Sequence, residues 1–166
     1  MMSYKKYLLI GIPILFLTGC LFHYLYEWSG NNVLIGFISP ANESIWEHLK
    51  TVLLPMTCYW SIYPLTNPNI QKDKWFFSLV ISIISTMLTI VCFYYTYTGA
   101  LGIELLAWDI FSLFLGITMG HLLGNNFYTY SFDIPYFISI SLLVIIFITF
   151  FIFTILPPAL PLFHSN

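Results

Sequence analysis

Residues 134–156 read IPYFISISLLVIIFITFFIFTIL, an apolar run that contains no charged side chain. About 20 such residues in a helix reach across the hydrocarbon core of a bilayer. The run therefore predicts a transmembrane helix. It also decides the fold class, because the rest of the chain repeats this pattern.

Four more apolar segments precede this run, at about residues 7–26, 40–63, 75–95 and 103–123. The breaks between them contain proline, glycine and asparagine, which favour turns. Of the 166 residues, 59% are hydrophobic and only 7% are charged, whereas soluble domains have about 25% charged residues. We therefore expect an all-α membrane protein, with one integral domain over residues 1–166 and a bundle of five transmembrane helices.

The lysines predict how this bundle is oriented. The chain has five lysines and no arginine, which is too few for a nucleic-acid-binding surface. Lys5 and Lys6 precede the first span, and Lys72 and Lys74 lie between the second and the third. Both pairs fall on one side if every segment crosses, and cytoplasmic loops are enriched in lysine. The sequence therefore predicts a cytoplasmic amino terminus and a carboxyl terminus outside.

The second span begins with two competing helix starts. Ser39 can cap a helix that has Pro40 at its first position, where a missing N–H costs nothing. Ser44 followed by Glu47 forms a capping box, which would start the helix one turn later. The sequence alone leaves both starts open.

The same stretch also carries a group of charged and polar side chains. It reads ANESIWEHLK over residues 41–50. Glu43, Glu47 and Lys50 follow one another at helical spacing, and His48 lies on the adjacent stripe. Glutamates are favoured near the positive end of a helix, so an ordinary interfacial helix start explains the acids. It does not explain why a histidine accompanies them.

Two other spans bring similar side chains to the outer membrane surface. His23 and Glu27 share a face near the outer end of the first span. Asp109 lies near the outer end of the fourth span, and a carboxylate inside a span normally faces the bundle interior and has a partner. On the same stripe as Asp109, a face of small residues predicts close helix packing. This face consists of Gly116, Gly120 and Gly124.

Together these side chains predict a metal site at the outer surface. Imidazole and carboxylate ligands with one position left to water form the ligand set of catalytic zinc. Such a metal activates its bound water and polarises a carbonyl group. We therefore expect one divalent metal, with zinc as the first choice. The predicted metal ligands are His23, Glu27, His48 and Asp109, and the predicted catalytic residues are Glu43 and Glu47, with Glu47 as general base.

The string NESIWEHLK at residues 42–50, together with His23 and the EWSG of residues 27–30, resembles a family of small bacterial multi-pass membrane proteins of unknown function. These proteins carry a motif of the NESxWEHLK type. The resemblance covers most of the chain, from the first span to the fourth. It implies a location in the bacterial cytoplasmic membrane, and it implies no particular activity.

Three functions are compatible with the sequence. The first is a metal-dependent hydrolase that acts on a lipid or lipid-linked substrate at the outer leaflet. The second is a non-catalytic scaffold or regulatory partner, whose glycine face binds a second copy or another membrane protein. The third is a proton-linked carrier with Asp109 as its relay. Membrane lipid is an expected partner in each case, and the sequence leaves open whether the protein is an enzyme.

Overall fold

Helices are the regular elements of the described chain. The computed structural model describes residues 2–164, and in that range it contains helices and no strand. The helices are α1 (Tyr4–Trp28), α2 (Val33–Gly36), α3 (Ile45–His48), α4 (Lys50–Thr66), α5 (Lys72–Leu101), α6 (Leu106–Tyr130) and α7 (Tyr136–Ile155), followed by a 3₁₀ turn at Pro161–Phe163.

Four of these helices are long and apolar enough to cross a membrane, namely α1, α5, α6 and α7. The fold is therefore all-helical and compatible with a membrane protein. The helices extend beyond the apolar runs read from the sequence, since α5 begins at Lys72 and ends at Leu101, outside the run at residues 75–95. Helices continue through the headgroup region, where polar side chains are tolerated, so hydropathy marks the middle of a helix better than its ends.

Helix α4 lies at the centre of the bundle. Nine of its 17 residues are buried, and it packs against both α1 and α5. Its Pro64 has no N–H to donate to the carbonyl of Trp60, one turn earlier. The indole Nε1 of Trp75 on α5 donates to this carbonyl instead, at 2.8 Å. The proline in α4 thus creates a free acceptor that fixes α5 beside it.

Of the two possible helix starts, the structure uses the later one. Ser44 is the N-cap of α3, and its Oγ accepts a hydrogen bond from the backbone N of Glu47 at 3.3 Å. Residues 37–43 before it form turns, bends and irregular chain. Helix α3 ends after one turn, and Leu49 separates it from α4. The site residues on α3 therefore lie on a short helical turn rather than inside a long helix.

Successive helices alternate in direction, so that the bundle has two ends. This holds for α1, α4, α5, α6 and α7. At one end the Tyr63 hydroxyl donates to the Met2 carbonyl at 2.9 Å. At the same end the backbone N of Tyr136 donates to Asp73 at 2.7 Å. We call this the lysine end, after Lys5, Lys6, Lys72 and Lys74. The opposite end, where α1 and α7 finish and α4 and α6 begin, we call the histidine end, after His23 and His48.

Helix α6 packs its glycine face against α5. A Cβ added at Gly120 would lie 2.5 Å from the Ser82 carbonyl oxygen, and one added at Gly124 would lie 3.1 Å from the Ser78 carbonyl oxygen. The two backbones are therefore in direct contact, as small residues permit between membrane helices. Because α5 of the same chain covers this face, a second copy or another protein would need a different surface. Association with such a partner stays a prediction.

Candidate metal centre

Three side chains with metal-ligating atoms meet at the histidine end. They are His23, Glu43 and His48, and their ligand atoms all lie within 4.8 Å of one another. Within residues 2–164 this is the one group of three or more such side chains close enough to hold an ion. The three residues come from α1, from the loop before α3 and from α3 itself. The string at residues 42–50 therefore supplies two of the three side chains, and the packing of α1 beside it adds His23.

The hydrogen bond of His48 to the backbone fixes which ring nitrogen is available. Its Nδ1 lies 2.8 Å from the Ser44 carbonyl oxygen, which can only accept, so Nδ1 carries the proton. The other nitrogen, Nε2, lies 3.4 Å from Oε2 of Glu43. A lone pair on Nε2 facing a carboxylate is stable only when a proton or a metal cation lies between them. The geometry therefore suits a cation at this position.

The second histidine lies directly beside the first. The rings of His23 and His48 are stacked, with centroids 4.9 Å apart and an interplanar angle of 30°. Tyr24 meets the His23 ring edge-on at 4.8 Å. The side chain of His48 is 33% exposed and that of Glu43 is 70% exposed. The site is consequently open to its surroundings on the Glu43 side.

Glu27 and Glu47, both predicted for this site, occupy different environments. Glu27 is exposed and follows His23 by one helical turn on α1, so it shares that face of the helix. Glu47 is only 3% exposed and forms an ion pair with the buried Lys50, with Nζ and Oε2 2.6 Å apart. The structure therefore places Glu27 beside the cluster and directs Glu47 into the protein.

Asp109 lies outside the three-residue group. It is in the first turn of α6, at the end of the helix rather than within it. Its Oδ1 accepts a hydrogen bond from the Tyr97 hydroxyl on α5 at 2.5 Å. In this arrangement the Asp109 carboxylate joins α5 to α6. Its roles as metal ligand and as proton relay stay predictions.

Sequence reasoning gave no role to Thr154, which the structure brings to the same end. Its hydroxyl donates to Oε1 of Glu47 at 3.0 Å, across 107 residues of sequence. Thr154 lies in the apolar run of α7, where a threonine ordinarily donates to the carbonyl one turn earlier. Here its single hydroxyl proton is shared between Oε1 of Glu47 and the Phe150 carbonyl oxygen, which is 2.9 Å away. No local signal in the sequence distinguishes it from the other threonines of the spans.

Fold and site together define a helical protein that is compatible with a membrane and has an open cluster of two histidines and a glutamate at one end. The chain belongs to a family of unknown function (DUF6512), whose model matches residues 1–166. The expectation of a family without assigned function is therefore confirmed. No curated protein and no solved structure matches the chain.

Proposed function

We propose that the chain is a membrane-embedded metalloprotein in which His23, Glu43 and His48 bind one divalent cation, with zinc as the first choice. The observation that carries the proposal is the convergence of their three ligand atoms within 4.8 Å. Two imidazoles, one carboxylate and a position left to water form a ligand set of catalytic zinc. The hydrogen bond from Nδ1 of His48 to a backbone carbonyl is the support that metal-bound histidines usually have.

A small movement brings the ligands to bonding distance. Zn–N bonds of about 2.0–2.1 Å in a tetrahedral site place two ligand atoms about 3.4 Å apart. The pair of His48 and Glu43 already has this separation, at 3.4 Å. The longest separation in the group is 4.8 Å, so the remaining adjustment falls on His23. Rotation of its side chain about the Cα–Cβ and Cβ–Cγ bonds is sufficient for a change of this size.

The proposed reaction is hydrolysis of an ester or amide bond. A cation held by His23, Glu43 and His48 would polarise the carbonyl group and lower the pKa of a water molecule bound to it. Oxygen of this water bonds to the carbonyl carbon, the bond to the leaving group breaks, and the leaving group receives the proton taken from the water. We assign the proton transfer to Glu27, because both carboxylate oxygens of Glu47 already accept hydrogen bonds.

The surroundings of the site support a lipid or lipid-linked substrate. Trp28 is 66% exposed, and Val33 and Leu34 on α2 are 70% and 73% exposed. Exposed apolar side chains next to charged ones are typical of segments that lie in the membrane interface. A substrate whose acyl chain stays in the bilayer would present its head group to the cluster at this depth.

The proposal includes five crossings of a bacterial cytoplasmic membrane. Helix α4 is the crossing added to those of α1, α5, α6 and α7, because it runs from the histidine end to the lysine end and packs against α1 and α5. The lysine end faces the cytoplasm, in keeping with the enrichment of lysine there. The string at residues 42–50 is a functional motif in this proposal, since it supplies Glu43 and His48.

Metal analysis of the protein purified in detergent tests the proposal. We expect near-stoichiometric zinc, or another divalent metal, in the wild type after exposure to the metal and removal of the excess. His23→Ala, His48→Ala and Glu43→Gln should each lose most of it. His164→Ala is the matched control, because His164 is exposed and outside the group, and it should keep the metal.

Two outcomes would overturn the proposal. A folded wild type that takes up no divalent metal would exclude the site. Equal metal content in the wild type and in all three site variants would place the metal elsewhere. If metal binding holds, turnover of ester and amide lipids by the wild type and its loss in His48→Ala would establish the hydrolase. Metal binding without turnover of any such lipid would reject the hydrolase and leave a metal-binding protein.

A further inference from the structure

We infer that Glu47 and Lys50 are positioning residues of the metal site, an inference that rests on the proposed function. They form an ion pair with 2.6 Å between Nζ and Oε2. Lys50 has no exposed surface and Glu47 is 3% exposed. Neither side chain reaches the open cluster, so the pair acts through the backbone segments to which it is bonded.

The pair ties together four separate segments. Oε2 of Glu47 also accepts from the backbone N of Ala41 at 2.8 Å. Nζ of Lys50 donates to the carbonyl of Gly36 at 2.7 Å. On the other side, the Thr154 hydroxyl of α7 donates to Oε1 of Glu47 at 3.0 Å. The end of α2, the loop at Ala41, the start of α3 and α4, and α7 are thus joined through two buried charges.

These bonds locate two of the three metal ligands. Ala41, held by Glu47, precedes the ligand Glu43 by two residues, with only Asn42 between them. Glu47 is also the residue immediately before the ligand His48. Helix α3 has only four residues, too few to be stable without tertiary contacts. Its orientation towards His23 therefore depends on the contacts that hold it.

Stability alone is a weak reason for a buried ion pair. Removing two charges from water is costly, and an apolar pair of similar volume often gives an equally stable or more stable protein. Charged side chains that form hydrogen bonds fix the orientation of the groups they bond, because a hydrogen bond depends on direction. Apolar contacts have no such dependence. We therefore expect the pair of Glu47 and Lys50 to fix the positions of Glu43 and His48. Residues that support the ligands of other metal sites have the same role, and their loss lowers metal affinity about 10–100-fold.

The test uses the full-length protein in detergent and measures three quantities: zinc affinity, the visible spectrum of the cobalt-loaded protein and the thermal unfolding midpoint. The main variant is the double change Glu47→Met and Lys50→Met, which removes both charges together. We expect a lower unfolding midpoint, because the Ala41 N–H and the Gly36 carbonyl lose their partners. In the folded variant we also expect a loss of zinc affinity of at least about tenfold and an altered cobalt spectrum. A merely structural role would change the midpoint and leave the spectrum of the folded protein unaltered.

Two further variants keep the test decisive. Thr154→Val removes one hydrogen bond to Glu47 at nearly constant volume, and it should weaken zinc binding by a smaller factor even if the double variant does not fold. The control is Lys74→Met with Asp133→Asn, which breaks the more exposed pair at the lysine end, 3.7 Å apart, and should leave zinc affinity unchanged.

The outcomes separate this inference from the proposed function. A wild type that binds no zinc overturns both. A wild type that binds zinc, together with a folded double variant of the same affinity and cobalt spectrum, overturns only the positioning role. If the double variant is unfolded, an unchanged affinity in Thr154→Val overturns it. A loss of affinity in the lysine-end control as large as in the double variant would also overturn it.

Discussion

The imidazole rings of His23 and His48 are stacked with their centroids 4.9 Å apart, although one lies near the end of α1 and the other ends α3. Two rings this close repel each other if both are protonated. A shared metal cation avoids this repulsion, because both rings then bind it as neutral ligands. If the proposed site binds a metal, this contact links the folding of the histidine end to metal binding.

Added zinc should consequently raise the thermal unfolding midpoint of the wild type. A ligand that binds only the folded state at 100 times its dissociation constant stabilises it by about 2.7 kcal/mol. We expect a shift of several degrees in detergent, reversed by a chelator. His164→Ala should show the same shift and His23→Ala should show none. An equal shift in both variants would assign the stabilisation to adventitious binding.

Asp109→Asn should keep the metal of the wild type. Asp109 accepts from the Tyr97 hydroxyl and is outside the three-residue group. Its replacement should lower stability by about 1 kcal/mol, as expected for weakening one hydrogen bond. Metal analysis and thermal unfolding of the same preparation would check both statements. Loss of the metal in this variant would instead support the ligand set expected from the sequence.

Gly120→Ala should destabilise the protein by about 1–3 kcal/mol, as overpacking of a close helix contact does. The new Cβ would meet Thr86 Oγ1 and lie 2.5 Å from the Ser82 backbone oxygen, which cannot move without α5. Gly99→Ala is the control, because nothing lies within 4 Å of a Cβ there, and it should be neutral or slightly stabilising. Thermal unfolding in detergent distinguishes them, and equal behaviour of the two variants would contradict the packing of α5 on α6.

Trp75→Phe should cost about 2–4 kcal/mol, from the lost indole volume and from the Trp60 carbonyl left without a donor. Pro64 cannot replace the lost bond, because it has no N–H. Trp108→Phe, at a side chain that is 42% exposed, should cost much less. The comparison needs only the unfolding midpoints of the two variants, and a smaller loss for Trp75→Phe than for Trp108→Phe would refute this explanation.

The sequence predicts the helical class well, because apolar runs and their proline and glycine breaks are local features. Helix ends are less accessible. The helix starts at Ser44 and not at Ser39, because the Ala41 N–H in the turn before it bonds to Glu47, a partner that a local pattern does not reveal. For the same reason the sequence placed α4 within a longer apolar run beginning at residue 40.

The candidate site was predictable in part. Spacing and topology brought His23 and His48 to the same end, since only one short connection separates α1 from α3. The sequence did not predict that Glu43 is exposed and Glu47 is buried. Both residues are glutamates with similar neighbours in the sequence. Only the packing of Thr154 and Lys50 turns Glu47 inward and leaves Glu43 exposed.

The bond between Thr154 and Glu47 also bears on the order of biosynthesis. The two residues are 107 positions apart, so the ribosome completes α3 long before α7 is made. Until α7 enters the membrane, Glu47 lacks one of its partners, and α3 lacks the helix that packs against it. In the proposed metalloprotein, metal loading should therefore follow synthesis of α7, and a nascent chain arrested before Thr154 would lack one of the contacts that hold α3.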